Sequence, residues 1–205
     1  MKFTCIKTGI NRTNTYIIEN NGEAIVVDPG CDVGKIDIAL KEINAVPKYV
    51  IITHTHFDHV GGVSALQKMG AKVYVSSVDY KLLKDADFYI RLGFGDEPVE
   101  SFDADVEVND GDVFTLLGHE FKVLATPGHT PGGVCYIMDG TSIFSGDTLF
   151  RLCIGRTDFP QSSHSEMMSS IKKLFALDGN YDVYPGHDKA TTLDFERKYN
   201  PYAKA

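Results

Sequence analysis

The pattern of apolar and polar positions predicts strands that alternate with helices. The runs TYIIEN and EAIVVDPG flank Asn21-Gly22, a dipeptide typical of a β-hairpin. KYVIITH is continuously apolar, as expected of a strand buried on both faces, and AKVYVSS predicts another strand. VGKIDIALKEIN places its apolar residues on one helical face, and VSALQKMG predicts a helix that ends at Gly70. The polar segment 85–103 predicts a surface loop.

The second half of the chain repeats this order loosely. DVFTLLG and EFKVLATPG predict strands, and VCYIMDGTSIFSGD predicts a hairpin that turns at Asp139-Gly140. SSHSEMMSSIKKLFAL predicts a helix, with Ser163 and Glu166 at the spacing of a capping box. YDVYPGH and TTLDFERKYNP follow as a strand and a short helix. The two halves together predict two sheets packed face to face with helices outside, in a single domain over residues 1–205.

Composition and charge argue against several classes of function. Lys and Arg number 20 and Asp and Glu number 28, a net charge of −8, so nucleic acid is not an expected partner. No apolar run approaches the roughly 18 residues that span a bilayer, so we expect no membrane association. The first residues, MKFTCIKTGINRTNTYII, have no signal-like segment, and we expect a cytoplasmic protein. The four cysteines form no C-x-x-C pair, which argues against a thiolate zinc site.

Metal-binding side chains follow four of the predicted strands directly. They are His54, His56, Asp58 and His59 after KYVIIT, His129 after FKVLATPG, Asp147 after SIFSG and His187 after DVYPG. Because side chains just past strand ends can meet at one edge of a sheet core, we expect these seven to converge. Imidazole and carboxylate groups suit zinc, iron or manganese. Seven ligands exceed the needs of one tetrahedral ion and suffice for two ions that share a carboxylate.

Four motifs in this order, THTHFDHVGG, TPGHTPGG, SGDTLF and YPGH, resemble the metallo-β-lactamase superfamily. The resemblance covers nearly the whole chain and implies an α/β fold, an αββα four-layer sandwich, with a binuclear metal centre between the sheets. It implies one ion held by His54, His56 and His129, a second held by Asp58, His59 and His187, and Asp147 as the bridge. Asp28 in VVDPG matches an acidic strand-end residue, for which we expect a structural role.

The segments SGDTLFRLCIGRTDFP and ERKYNP are similar to the short glyoxalase II-like branch, whose members hydrolyse hydroxyacyl-glutathione thioesters. Glyoxalase II carries an extra C-terminal helical domain that helps to bind glutathione, and we expect that domain to be missing here. Arg156 stands where the family has a lysine, while Asp158 and Lys189 stand where it has tyrosines. Arg156 and Lys189 are therefore the expected substrate-binding residues.

The resemblance implies that a metal-bound hydroxide attacks the thioester, with Asp58 as the catalytic residue that orients it and takes its proton. Two divalent metal ions per chain are expected; zinc is the first choice, and iron and manganese are the alternatives. The expected substrate is a small-molecule thioester or ester. Two alternatives stay open: hydrolysis of lactones or other activated esters, including β-lactams, and a mononuclear iron persulfide dioxygenase. The dioxygenase uses ligands like His54, His129 and Asp147. No G-x-S-x-G motif occurs, which argues against a serine nucleophile.

Overall fold

Two six-stranded sheets form the centre of the computed structural model, which describes residues 2–83 and 100–204. The first sheet has the strand order β1-β2-β3-β4-β5-β6, antiparallel from β1 to β3 and parallel from β3 to β6. Its strands are β1 (Lys2–Thr8), β2 (Thr13–Asn20), β3 (Glu23–Val27), β4 (Val46–Ile51), β5 (Lys72–Ser76) and β6 (Val106–Val108). The helices of this half are α1 (Val33–Glu42), α2 (Phe57–Val60), α3 (Val63–Lys68) and α4 (Ser77–Leu83).

The second sheet has the order β14-β13-β10-β9-β8-β7, with β10 and β13 parallel and the other neighbours antiparallel. Its strands are β7 (Val113–Leu116), β8 (His119–Ala125), β9 (Val134–Met138), β10 (Ser142–Gly146), β13 (Asp182–Pro185) and β14 (Thr191–Thr192). A separate hairpin pairs β11 (Leu149–Phe150) with β12 (Cys153–Ile154). The helices of this half are α5 (His164–Phe175) and α6 (Leu193–Tyr199), followed by a 3₁₀ turn over Pro201–Lys204.

Three apolar clusters separate the layers. The middle cluster takes side chains from both sheets, such as Ile25, Phe121 and Tyr136. A second cluster fills the space between the first sheet and its helices, and a third fills the space between the second sheet, α5 and α6. Because successive strand residues point to opposite faces, Ile17 contributes to the helix-facing cluster while Ile18 contributes to the middle one. Burial on both faces explains the continuously apolar strands, and the predicted four-layer sandwich is confirmed.

Several local sequence signals coincide with turns and helix ends in the structure. Asn21 and Gly22 both have positive φ angles, 56° and 80°, which suits the tight turn between β2 and β3. Gly70 follows α3 with a φ of 96°, so the predicted end of that helix is confirmed. The Ser163 hydroxyl accepts a hydrogen bond from the Glu166 backbone N–H at the start of α5. The single-domain organisation over residues 1–205 stays a prediction.

Several short elements are not predicted by the apolar pattern. They are α2, α4, β6, β11, β12 and β14, of which β11, β12 and β14 have only two residues each. Elements of this length are too short for a periodic pattern to be distinguished from chance. The predicted loop over 85–103 falls mostly outside the described residues, and its described part, 100–103, has no helix or strand. Within the described ranges no helix is both long enough and apolar enough to cross a membrane.

The middle cluster should dominate stability. Phe121 is fully buried between the sheets, whereas Phe3 on the edge strand β1 keeps 37% of its surface exposed. We expect Phe121→Ala to lower the free energy of unfolding by about 3–5 kcal/mol, the usual cost of emptying a buried phenylalanine site. The control Phe3→Ala should cost clearly less. Urea denaturation of both variants measures the difference, and equal losses would contradict the assignment of the middle cluster as the main core.

Candidate metal centre

The first group of candidate ligands lies in the connection from β4 into α2. His54 and His56 lie in the irregular segment after the strand, and His56, whose backbone is extended, is the N-cap of α2. Asp58 and His59 are on α2 itself, and the side chains of all four are buried. The helical turn redirects Asp58 and His59 relative to the two preceding histidines. Within six residues, the HxHxDH motif therefore presents its ligand side chains in two different directions.

The remaining candidates come from the second sheet. His129 follows β8, Asp147 follows β10 and His187 follows β13. Because β10 and β13 are parallel neighbours, their carboxyl ends lie side by side and bring Asp147 next to His187. The His187 Nε2 atom lies 3.5 Å from Asp147 Oδ2. The edge of the second sheet therefore faces the β4–α2 connection of the first.

All seven predicted ligands come together in this structure. Their donor atoms fall into three groups, each with all atoms within 4.8 Å of one another: His54, His56 and His129; Asp58, His59 and His187; and His54, His59 and Asp147. We call the first group the histidine trio and the second the mixed trio. Asp147 lies between them, with Oδ2 3.4 Å from His129 Nε2 and Oδ1 3.5 Å from His59 Nε2. This is the position expected of a bridging carboxylate.

Several donor atoms at the centre are buried without a hydrogen bond. Within residues 2–83 and 100–204, no hydrogen-bond partner lies within reach of three of these buried atoms: His54 Nε2, His129 Nε2 and Asp147 Oδ1. Such buried polar atoms are rare in folded proteins, since each costs about 1–3 kcal/mol when it is left unsatisfied. A cation bound by these nitrogen and oxygen atoms would remove that cost. The donor set therefore fits a divalent metal ion by chemistry as well as by position.

The other ring nitrogens of these histidines have partners that set their orientation. His129 Nδ1 lies 2.8 Å from the Arg156 carbonyl oxygen and so donates to it. His59 Nδ1 lies 3.0 Å from Asp28 Oδ2. In both rings the Nε2 atom is left to face the centre, which is the arrangement usual for histidine ligands with a carbonyl or carboxylate behind them. Hydrogen positions on the rings follow here from these partners.

Charge differs between the two trios. Burial lowers the pKa of His56 to about 3, with the neighbouring His129 adding to the effect. Burial, assisted by the surrounding histidines, also holds the pKa of His54 well below its usual value. These rings are therefore neutral near pH 7, the form in which imidazole binds a metal.

The mixed trio behaves in the opposite way because it contains carboxylates. Burial would lower the pKa of His59, but Asp58, Asp147 and Asp28 outweigh it and raise that pKa to about 9. Asp147 and Asp58 likewise outweigh burial at His187 and raise its pKa to about 10. Burial alone would raise the pKa of Asp147, but the histidines, His59 first, lower it to about 2. The carboxylates thus create a negative field that attracts positive charge.

Three supporting residues that the ligand pattern did not identify hold the loops in place. Thr13 donates from its hydroxyl to Asp58 Oδ2 at 2.9 Å. Asp28, whose predicted role is structural, also accepts from the backbone N–H and hydroxyl of Thr53 at 2.8 and 2.7 Å. Asp79, on α4, accepts hydrogen bonds from both ligand-bearing loops. Only Asp28 carries a sequence signal, its place at the end of an apolar strand before Pro-Gly.

The two predicted substrate-binding residues differ in their surroundings. Arg156 makes a bidentate ion pair with Asp158, at 2.9 and 2.8 Å, and its guanidinium lies 4.4 Å from the ring centre of Phe159. The Phe159 ring meets His56 and His129 edge-on, with centroids 5.4 and 5.6 Å apart. Arg156 is thereby connected to the histidine trio through one aromatic ring. Lys189 is exposed, two residues after His187.

Two relatives are similar to this chain over most of its length. A 34% identical relative from Streptococcus pyogenes serotype M6, named "Probable metallo-hydrolase", aligns with 92% of this chain and 84% of its own length. A 32% identical relative from Haemophilus influenzae, the hydroxyacylglutathione hydrolase GloC, aligns with 95% of this chain and 94% of its own length.

Two solved structures are also similar to this chain over nearly its whole length. The BLEG-1 B3 metallo-beta-lactamase is 32% identical, covers 100% of both chains and superimposes with a TM-score of 0.91. TTHA1623 in a di-iron-bound form is 32% identical over 97% of this chain and 99% of its own, with a TM-score of 0.85. A profile described as the metallo-beta-lactamase superfamily matches residues 8–187, a range that contains every candidate ligand. The chain belongs to the metallo-beta-lactamase superfamily.

Proposed function

We propose that this chain is a binuclear metal-dependent hydrolase that cleaves thioesters of the hydroxyacyl-glutathione type. The observation that carries the proposal is the convergence of seven side chains, with buried His54 Nε2, His129 Nε2 and Asp147 Oδ1 atoms that make no hydrogen bond within the described residues. The histidine trio would hold one ion and the mixed trio the other, with Asp147 shared. Zinc is our first assignment; iron and manganese suit the same donors, and TTHA1623 has a di-iron-bound form.

Bound divalent ions in such a centre supply a water-derived nucleophile near neutral pH and polarise the substrate carbonyl. The chain's own contribution begins with Asp58. The neighbouring His59 and His187, with the Thr13 hydroxyl, outweigh burial and hold the pKa of this carboxyl far below its usual value. An ionised Asp58, fixed by Thr13, can accept a hydrogen bond from the attacking water and so orient it; its low pKa suits this role better than that of a proton acceptor.

The substrate preference rests on the mouth of the centre. Phe159 borders the histidine trio on one side, and the Phe150 ring lies 6.2 Å from His187 on the other. Arg156 beside Phe159 offers a cation for a carboxylate of the thiol carrier, with two parallel hydrogen bonds. Its ion pair with Asp158 is exposed and therefore contributes little, so a substrate carboxylate can displace Asp158. The likeness to GloC over nearly the whole chain supports this substrate class.

A second candidate function is hydrolysis of lactones or other activated esters, including β-lactams. The specific observation in its favour is the likeness to the BLEG-1 B3 metallo-beta-lactamase over the full length of both chains. A screen of thioesters, lactones and β-lactams with the metal-loaded protein separates the two functions by their kcat/KM values. Oxygen uptake with a glutathione persulfide tests the remaining alternative, the mononuclear iron dioxygenase.

Metal content is the first prediction from this proposal. We expect about two transition-metal ions per chain, as in other two-metal hydrolases. His54→Ala should empty one site preferentially and abolish hydrolysis, because it removes a ligand of the histidine trio. The control His164→Ala changes an exposed histidine at the start of α5 and should keep both ions. Elemental analysis with a hydrolysis assay measures both effects; full activity in a chelated, metal-free sample would refute the proposal.

Asp58 should be essential for turnover. Asp58→Asn keeps the size of the side chain but removes the charge that would bind the ion of the mixed trio and orient the attacking water. We expect kcat to fall by about 10²-fold or more, the usual scale for removing a general base or a key charge. Asp37→Asn, on the exposed face of α1, serves as the control. Near-normal turnover of Asp58→Asn with both ions still bound would show that Asp58 has no part in the chemistry.

The Arg156–Asp158 pair should set the affinity for acidic thiol carriers. Arg156→Ala should raise KM for glutathione thioesters about tenfold, the scale of a lost charged hydrogen bond, and should spare small uncharged esters. Asp158→Asn should have the opposite effect, because it frees the guanidinium from its present partner. Steady-state kinetics on a glutathione thioester and a neutral ester make the comparison. Equal losses on both substrates at unchanged metal content would show that Arg156 supports the loop instead.

A further inference from the structure

A buried carboxylate outside the ligand set connects the two loops that carry the histidine trio. Asp79 lies on α4 and has no exposed surface. Its Oδ2 atom accepts hydrogen bonds from the Thr55 backbone N–H at 3.1 Å and from the Thr130 hydroxyl at 2.8 Å. Its Oδ1 atom accepts from the Gly132 backbone N–H at 2.6 Å. Thr55 separates His54 from His56, and Thr130 directly follows His129, so each donor is next to a ligand or close behind one.

The two loops belong to different sheets, and this is why a connection between them matters. The loop with Thr55 follows β4 of the first sheet, and the loop with Thr130 follows β8 of the second. A single side chain that accepts hydrogen bonds from both loops restricts their separation. A shift of one loop by a fraction of an ångström would alter the distances within the histidine trio, which metal ligands tolerate poorly.

Gly132 shows that Asp79 packs closely against the second loop. A Cβ atom built on Gly132 would overlap the backbone nitrogen and the carboxylate of Asp79. The absence of a side chain at position 132 therefore allows the carboxylate to approach the loop. Close packing and three hydrogen bonds together fix Asp79 in one position.

We propose that Asp79 is a positioning residue that sets the geometry of the histidine trio and so determines the affinity of the ion held there. The proposal rests on the proposed metal binding at that trio. Asp79 acts through backbone and hydroxyl groups next to the ligands and takes no part in the chemistry. The mixed trio should be unaffected, since its side chains lie on α2 and after β13, where Asp79 makes none of its three hydrogen bonds.

The test is zinc titration of the metal-free protein in competition with a chromophoric chelator. Asp79→Asn is nearly isosteric, but its amide nitrogen must face either the Thr55 N–H or the Gly132 N–H, so one contact is lost. We expect the affinity of one ion to fall at least tenfold, within the 10- to 100-fold range known for residues that support metal ligands. The second ion should keep its affinity within about threefold by the same reasoning.

Two backgrounds identify the site that is affected. In a His187→Ala protein, where the histidine trio is intact, Asp79→Asn should weaken the remaining ion. In a His129→Ala protein, where that trio is already broken, Asp79→Asn should cause no further loss, the non-additivity expected of residues that act on one site. Gly132→Ala, which keeps the carboxylate but forces it away from the loop, should reproduce the loss.

A matched control separates positioning from general stability. Glu196 is also fully buried and accepts hydrogen bonds from the Leu152 N–H, the Asn200 amide and the Thr191 hydroxyl, none of which is on the β4–α2 or β8–β9 loop. Glu196→Gln should lower the melting temperature without selective loss of one ion. If wild-type protein binds no zinc, the proposed function fails. If it binds two ions and Asp79→Asn binds both equally well, or if both ions weaken together as in Glu196→Gln, the positioning role of Asp79 is wrong.

Discussion

Seven metal-binding side chains lie together at one edge of the sandwich, and the rest of the structure depends on how these polar groups are satisfied. His54, His56, Asp58, His59 and His129 are buried, and the side chain of Asp147 is only 11% exposed. Burying polar groups without partners costs several kcal/mol in total, about 1–3 kcal/mol each. Among residues 2–83 and 100–204, buried side-chain atoms without a hydrogen bond occur at this edge alone, where strand ends of both sheets bring histidines and carboxylates together. In the proposed function, a cation at each trio would offset this cost and supply the chemistry of the edge.

The same requirement extends outward from the ligands. Asp28 connects the backbone of Thr53 to the ring of His59, and Asp79 connects the loops of His54 and His129. Each carboxylate accepts hydrogen bonds that the loops cannot satisfy within themselves, because a loop that approaches a buried centre has no neighbouring strand to pair with. The strand ends therefore fix the point at which each loop begins. Hydrogen bonds to a small number of buried carboxylates fix the position of the rest of each loop. The positions of the candidate ligands depend on both.

The sequence predicts much of this because the relevant signals are local. Continuous apolar strands, the Asn21-Gly22 turn and the Ser163 cap are each read from a few adjacent residues, and histidine clusters directly after such strands are rare by chance. By contrast, Asp79 and Thr13 act over long separations: Asp79 meets Gly132 53 positions away, and Thr13 meets Asp58 45 positions away. An aspartate in a short helix and a threonine in a strand are ordinary in sequence, so only the packing of the two sheets gives them a role.

The central claim is that the two trios each hold an ion and share Asp147. Anomalous diffraction from crystals of the purified protein, recorded on both sides of the absorption edge of the bound metal, tests it most directly. We predict two peaks, one among His54, His56 and His129 and the other among Asp58, His59 and His187, with Asp147 between them. A single peak, or peaks away from these side chains, would contradict the binuclear centre.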